Sequence, residues 1–132
     1  MLVLLVTSCL FFSGCLQSNN DLDLYGTEYK NPPDAPDFTL LNQNGESVTL
    51  SDYSDKVVVV AFIYTSCPDV CLAISANLAW IHQNLGEYSD DVVILSITID
   101  PARDTVDRFA QWTEANGYEW DHLSAERPST LV

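Results

Sequence analysis

The chain has 132 residues, enough for one domain of ordinary size and too few for two. Acidic side chains outnumber basic ones 19 to 5, and the resulting formal charge of -14 repels nucleic acid and anionic lipid headgroups alike, so neither is an expected partner. Apolar residues make up 47% of the chain, which suffices for a core, and the spread of aspartates suits high salt as well as an ordinary acidic surface.

The opening, MLVLLVTSCLFFSGCLQSNN, carries an apolar stretch of about a dozen residues, shorter than the roughly 20 needed to cross a bilayer, followed by small residues and a cysteine. That pattern predicts an export signal. Phe12-Ser13-Gly14-Cys15 resembles a lipobox, where the signal is cut and the cysteine is given a diacylglycerol. Val6-Thr7-Ser8-Cys9 fits the pattern too, but leaves too short an apolar segment ahead of the cut. No Lys or Arg precedes Lys30, so either the true start lies upstream of Met1 or the signal is atypical. The expected organisation is a signal over 1–15, a polar tether over 16–34 rich in proline near its end, and a folded domain over 35–132. An exported domain held by lipid at Cys15 to the outer face of the cell membrane would work where thiols can be oxidised.

Phe38, Leu40, Val48 and Leu50 alternate with polar residues around Asn42-Gln43-Asn44-Gly45, which predicts a hairpin turning at Gly45. VVVVAFIY (57–64) and VVILSITI (92–99) are apolar on both alternate sets, as in strands covered on both faces. Between them Ile74, Leu78, Ile81 and Leu85 recur at helical spacing, with Gly86 near the stop. Strand, helix, strand with both strands buried predicts a parallel βαβ unit. Asp100-Pro101 ends the second strand. Asp104 or Thr105 then caps a helix through Val106, Phe109, Ala110 and Trp112 or Thr113 to Gly117. Trp120 to Ser124 reads as a short further element, and Arg127-Pro128-Ser129-Thr130 as the start of another helix.

The chemistry concentrates in YTSCPDVC. Cys67 follows the carboxyl end of the first buried strand, where functional groups gather in α/β sheets. Pro68 suits a first helical turn, which puts Cys67 at or next to an N-cap whose free N–H groups favour thiolate. Side chains four apart on a helix stand with Cβ atoms roughly 5 to 6 Å apart, wider than the about 3.5 to 4.5 Å of a relaxed disulfide. A chelated soft metal, Cu(I) or its rival zinc, fits that gap more easily, with a labile disulfide as the oxidised form. The plainer reading makes Cys71 a small core residue on the stripe of Ile74 and Leu78.

Context narrows these readings. APDFTLLNQNGESVTLSDYSDKVVVVAFIYTSCPDVC resembles the opening of thioredoxin-like proteins, thiol reductases and peroxiredoxins included. FIYTSCPDVC followed by DPARDT at 100–105 resembles the SCO/SenC family, anchored thioredoxin-fold copper proteins that help assemble the CuA centre of cytochrome c oxidase. The resemblance runs from about Ala35 to the end. It implies an α/β, thioredoxin-like fold in which the hairpin and βαβ unit are present and the C-terminal strands are missing, leaving an apolar edge open. It also implies that Cys67 and Cys71 hold copper, Cu(I) or Cu(II), that Tyr64, Thr65, Asp100, Arg103 and Asp104 line the site, and that the partner is the copper subunit of the oxidase.

The family's third ligand is a histidine on a later loop. Here the histidines are His82, expected on the first helix and solvated, and His122, expected at the surface or a strand end. Neither takes the role, so the chain is expected to stop short of that ligand. Three functions compete: a copper chaperone, a thiol-disulfide oxidoreductase using the same pair, and a peroxidase. The last is disfavoured because the mature body offers no third thiol once Cys15 is acylated.

Overall fold

In the computed structural model, residues 26–125 are described, and the chain divides into two units, Met1–Asp34 and Ala35–Val132. Residues 26–34 form no helix or strand. Within the second unit β1 (Thr39–Leu41) and β2 (Ser47–Thr49) pair antiparallel, with Leu40 opposite Val48. The loop between them is held by Asn42, whose Oδ1 accepts the N–H groups of Asn44 and Glu46, both at 3.0 Å. Gly45 takes a left-handed φ of 77°, as its place in the turn requires.

After a 3-10 turn at Leu50–Tyr53, β3 (Val57–Ile63) leads by α1 (Val70–Gln83) to β4 (Val92–Thr98), and α2 (Val106–Asn116) leads to β5 (Asp121–Leu123). The three strands form a parallel sheet in the order β3-β4-β5, with Ala61, Ser96 and His122 in one row across it. The predicted βαβ unit is there, and a second crossover adds β5 to it. An antiparallel bridge between Leu41 and Ser124 joins the hairpin to the end of β5.

The period-2 pattern divides the sheet into two faces. One carries Val58, Val93, Leu95, Ile97 and Leu123 onto the hairpin residues Phe38, Leu40, Val48 and Leu50. The other carries Ala61, Ile63 and Ile94 onto the helices. Strand β4 is covered on both faces as its composition predicts. Strand β3 differs: among the described residues it is an edge strand, with Val57 and Phe62 each 63% exposed. Phe62 and Val60 line an apolar groove of about 590 Å³ with Phe38, Leu40 and Ile97.

Helix α2 follows its sequence signals. Thr105, not Asp104, is the N-cap, its Oγ1 accepting the Arg108 N–H at 3.3 Å, and Gly117 ends the helix at φ 68°. Phe109, Trp112 and Thr113 face inward. Helix α1 departs from expectation, because its buried stripe is Cys71, Ser75 and Leu78, while Ile81 is 39% exposed and the helix ends before Leu85. Counting from Cys71, these positions four and three apart face the sheet, and Ser75 is tolerated there as a small side chain. The segment at 127–130 lies outside the described residues.

Candidate metal centre

Strand β3 ends at Ile63, and the chain turns sharply before α1, with the Cys67 N–H bonded to the Tyr64 carbonyl at 3.2 Å. Asp69 occupies the N-cap position of helix α1 without a side-chain cap bond, and the helix begins at Val70. Pro68, expected in the first helical turn, stands with Cys67 in the turn ahead of the helix, and of the two cysteines Cys71 is helical. The Cβ separation of two residues four apart on a helix does not apply to this pair. What survives is the electrostatics: the free N–H groups of the first turn point back at Cys67.

Donors converge on the Cys67 sulfur from the Cys71 thiol, the N–H groups of Asp69 and Cys71, and the Tyr64 hydroxyl, and they lower its pKa from 9.0 to about 7. Cys71 moves the other way, its thiol pushed up by burial and by the hydrogen bond it gives to Cys67. Tyr64 is raised too, chiefly because its hydroxyl is engaged by Cys67. The pair is thus poised as one thiolate and one thiol. Both cysteines are free and buried, against Ile63, Phe109 and Trp112.

Thr65 and Asp104 meet, with the Thr65 hydroxyl donating to Asp104 Oδ1 at 2.6 Å and the Thr65 N–H to Oδ2 at 3.0 Å. Asp100 and Arg103 instead pair with each other at 2.9 Å in a turn after β4, where the Arg103 side chain is 75% exposed. Cys15 lies outside the described residues.

The histidines correct two expectations. His82 is half-buried beside Trp120, ring centroids 6.1 Å apart, in a pocket with Tyr53, Glu119 and Asp121 and not free in solvent. His122 is wholly buried on β5, enclosed by Phe109, Trp112, Tyr118 and Trp120 with centroids 5.1 to 5.9 Å away. Its Nδ1 lies 2.9 Å from the Trp120 carbonyl, which fixes the neutral tautomer with hydrogen on Nδ1, while Nε2 has no partner. Burial pushes the imidazole down to about 4. The reason sequence misreads it is the second parallel crossover, which turns a short polar-looking segment into a buried strand at the end of the sheet.

Among the described residues no group of three or more His, Cys, Asp or Glu side chains is placed to hold a metal ion. The donor set is therefore two sulfurs, one easily ionised. Two thiolates suit a soft monovalent ion in linear coordination, and Cu(I) fits that description better than ions that demand four ligands.

A parallel sheet crossed by two helices, with a cysteine pair where the first strand meets its helix, defines a thioredoxin-like protein. The SCO1/SenC family model matches residues 27–126, and the chain belongs to that family. It is 29% identical over 97 residues to the SCO1 protein homolog of Bacillus subtilis, covering 71% of this chain and 50% of that protein. The solved structure of Bradyrhizobium japonicum ScoI with copper bound is 30% identical, with a TM-score of 0.64 over 69% of this chain and 58% of the other. BsSco, described as having a disulfide switch and as a member of the Sco family of cytochrome c oxidase assembly proteins, is 28% identical with a TM-score of 0.62, over 73% and 58%. The chain thus spans a third to a half of curated relatives such as the SCO2-like protein of Rickettsia felis, at 34%, and the Bacillus protein.

Proposed function

We propose that the protein receives Cu(I) between Cys67 and Cys71 and delivers it to the copper subunit of cytochrome c oxidase for assembly of the CuA centre. The observation that carries this reading is the placement of the pair: Cys67 in the turn after β3 and Cys71 in the first turn of α1, both free and buried against Ile63, Phe109 and Trp112, with donors around Cys67 that favour the thiolate a metal takes up. Copper-bound and oxidase-assembly relatives at this level of identity support it. Among the described residues the two sulfurs are the soft donors gathered at this site, and they hold Cu(I) more tightly than Cu(II).

The delivery point is the outer face of the cell membrane, with the domain tethered by a diacylglycerol on Cys15. The charge of -14 supports a lipid anchor over electrostatic adhesion to acidic lipid.

The same pair supports a second reading. The Cys67 thiolate attacks a partner disulfide, Cys71 resolves the mixed disulfide, and two electrons with two protons pass to the partner as both thiols of this chain are oxidised. Anaerobic Cu(I) titration of the reduced full chain separates the two. One Cu(I) per chain, lost in Cys67→Ser and in Cys71→Ser, is the expected result. Turnover of a disulfide substrate with no Cu(I) uptake would overturn the chaperone reading in favour of the reductase.

A further inference from the structure

Asp104 is a wholly buried carboxylate, and among the described residues no salt bridge reaches it. Its charge is met by three donors: the Thr65 N–H, the Thr65 hydroxyl, and the Thr98 hydroxyl at 2.6 Å. Its own carbonyl accepts the Ser124 hydroxyl at 2.6 Å. One residue thus ties the ends of β4 and β5 to the turn that carries Cys67. Thr65 stands two residues ahead of Cys67, and the intervening turn is closed by the Cys67 N–H on the Tyr64 carbonyl. The Thr65 hydroxyl also works twice, giving its proton to Asp104 and accepting from Arg108 Nε at 3.0 Å. Arg108 is exposed on the first turn of α2. A charge so deep is costly, and stability alone is served as well by an apolar residue of similar size.

We propose that Asp104, acting through Thr65, is a positioning residue for the cysteine pair, and that Arg108 closes this clamp from the solvent side. The clamp holds the turn so that the helix N–H groups and Tyr64 meet the Cys67 sulfur, which favours the reduced pair and its metal complex over the disulfide. The inference rests on the copper-delivery reading, but its second readout needs no metal.

The test uses the full chain in detergent, with Thr65→Val, Thr65→Ser and Arg108→Gln. Valine keeps the shape and the N–H bond to Asp104 but removes both side-chain bonds; serine retains them. All are measured at 15 °C, after circular dichroism has tested whether each is folded. Thr65→Val is expected to weaken Cu(I) at least tenfold against a chromophoric chelator and to shift the glutathione equilibrium at least threefold toward the intramolecular disulfide. Thr65→Ser stays within twofold of wild type on both, and Arg108→Gln moves the glutathione equilibrium about twofold. A Thr65→Val protein that melts lower yet keeps both constants within twofold overturns the proposal and leaves Asp104 a purely structural anchor. If wild type takes up no Cu(I), the copper reading falls while the glutathione equilibrium still decides the clamp. Should Thr65→Val fail to fold, Arg108→Gln decides: an unchanged equilibrium overturns the proposal.

Discussion

The burial of His122 makes a quantitative prediction about acid stability. Unfolded, the imidazole binds a proton below about 6.5; folded, it stays neutral down to about 4. Unfolding therefore takes up a proton in that window, so the His122 contribution is complete above about 6.5 and is lost as pH falls toward 4. The interval, at about 1.36 kcal/mol per pH unit, corresponds to about 3 kcal/mol, most of which is lost by pH 4.5. Urea unfolding followed by far-UV circular dichroism at pH 7.5, 6.5, 5.5 and 4.5 measures it, with His122→Asn as the reference. Asparagine Nδ2 takes the place of Nδ1 toward the Trp120 carbonyl and does not titrate. Wild type minus variant cancels the carboxylates common to both and should shrink by about 2 to 3 kcal/mol from pH 7.5 to 4.5. A difference that changes by less than about 0.5 kcal/mol would refute the neutral, enclosed imidazole.

Further outcomes follow from the same geometry. Alkylation of Cys67 by iodoacetamide, read by peptide mass, should be half-maximal near pH 7, and Cys71→Ala should move that midpoint toward 9.0 by removing the largest of its donors; an unmoved midpoint contradicts the assignment. Phe109→Ala, at a site with no exposure and rings on several sides, should cost about 3 to 5 kcal/mol in urea unfolding. Gly117→Ala meets no atom within 4 Å yet must adopt φ 68°, so it should cost about 1 kcal/mol through backbone strain alone, and asparagine at that position should recover part of the loss. Mass spectrometry of the protein from membranes should find diacylglycerol on Cys15, and Cys15→Ser should release the domain to the soluble fraction.

Sequence made α2 legible almost to the residue because its signals are local: a threonine cap, an inward stripe and a glycine stop all lie within a dozen positions. The hairpin and the βαβ unit were legible on the same ground of period and turn chemistry. The start of α1 was not, because Pro68 is compatible with both the turn and the first helical residue, and the contacts of Cys67 selected the turn. His122 reads as a surface or strand-end position and is buried by a strand pairing with a partner far away in the chain. At the site itself the residues alone make Asp104 a candidate helix cap, while the family resemblance sets it beside the cysteine pair. Its partners Thr65 and Thr98 become neighbours only when β3 and β4 are aligned.

The hairpin loop does more than turn the chain. Gln43 gives its Nε2 hydrogen to the Trp120 carbonyl at 3.2 Å and accepts the His122 N–H on Oε1 at 2.8 Å. A side-chain amide thereby stands in for the peptide group of a neighbouring strand, and the Leu41 to Ser124 bridge continues the same seam. The outer side of β5 is closed to any newcomer, while the outer side of β3 keeps its backbone groups free among the described residues. Among the described residues, then, the free backbone edge of the sheet is that of β3, one turn of chain away from the cysteines.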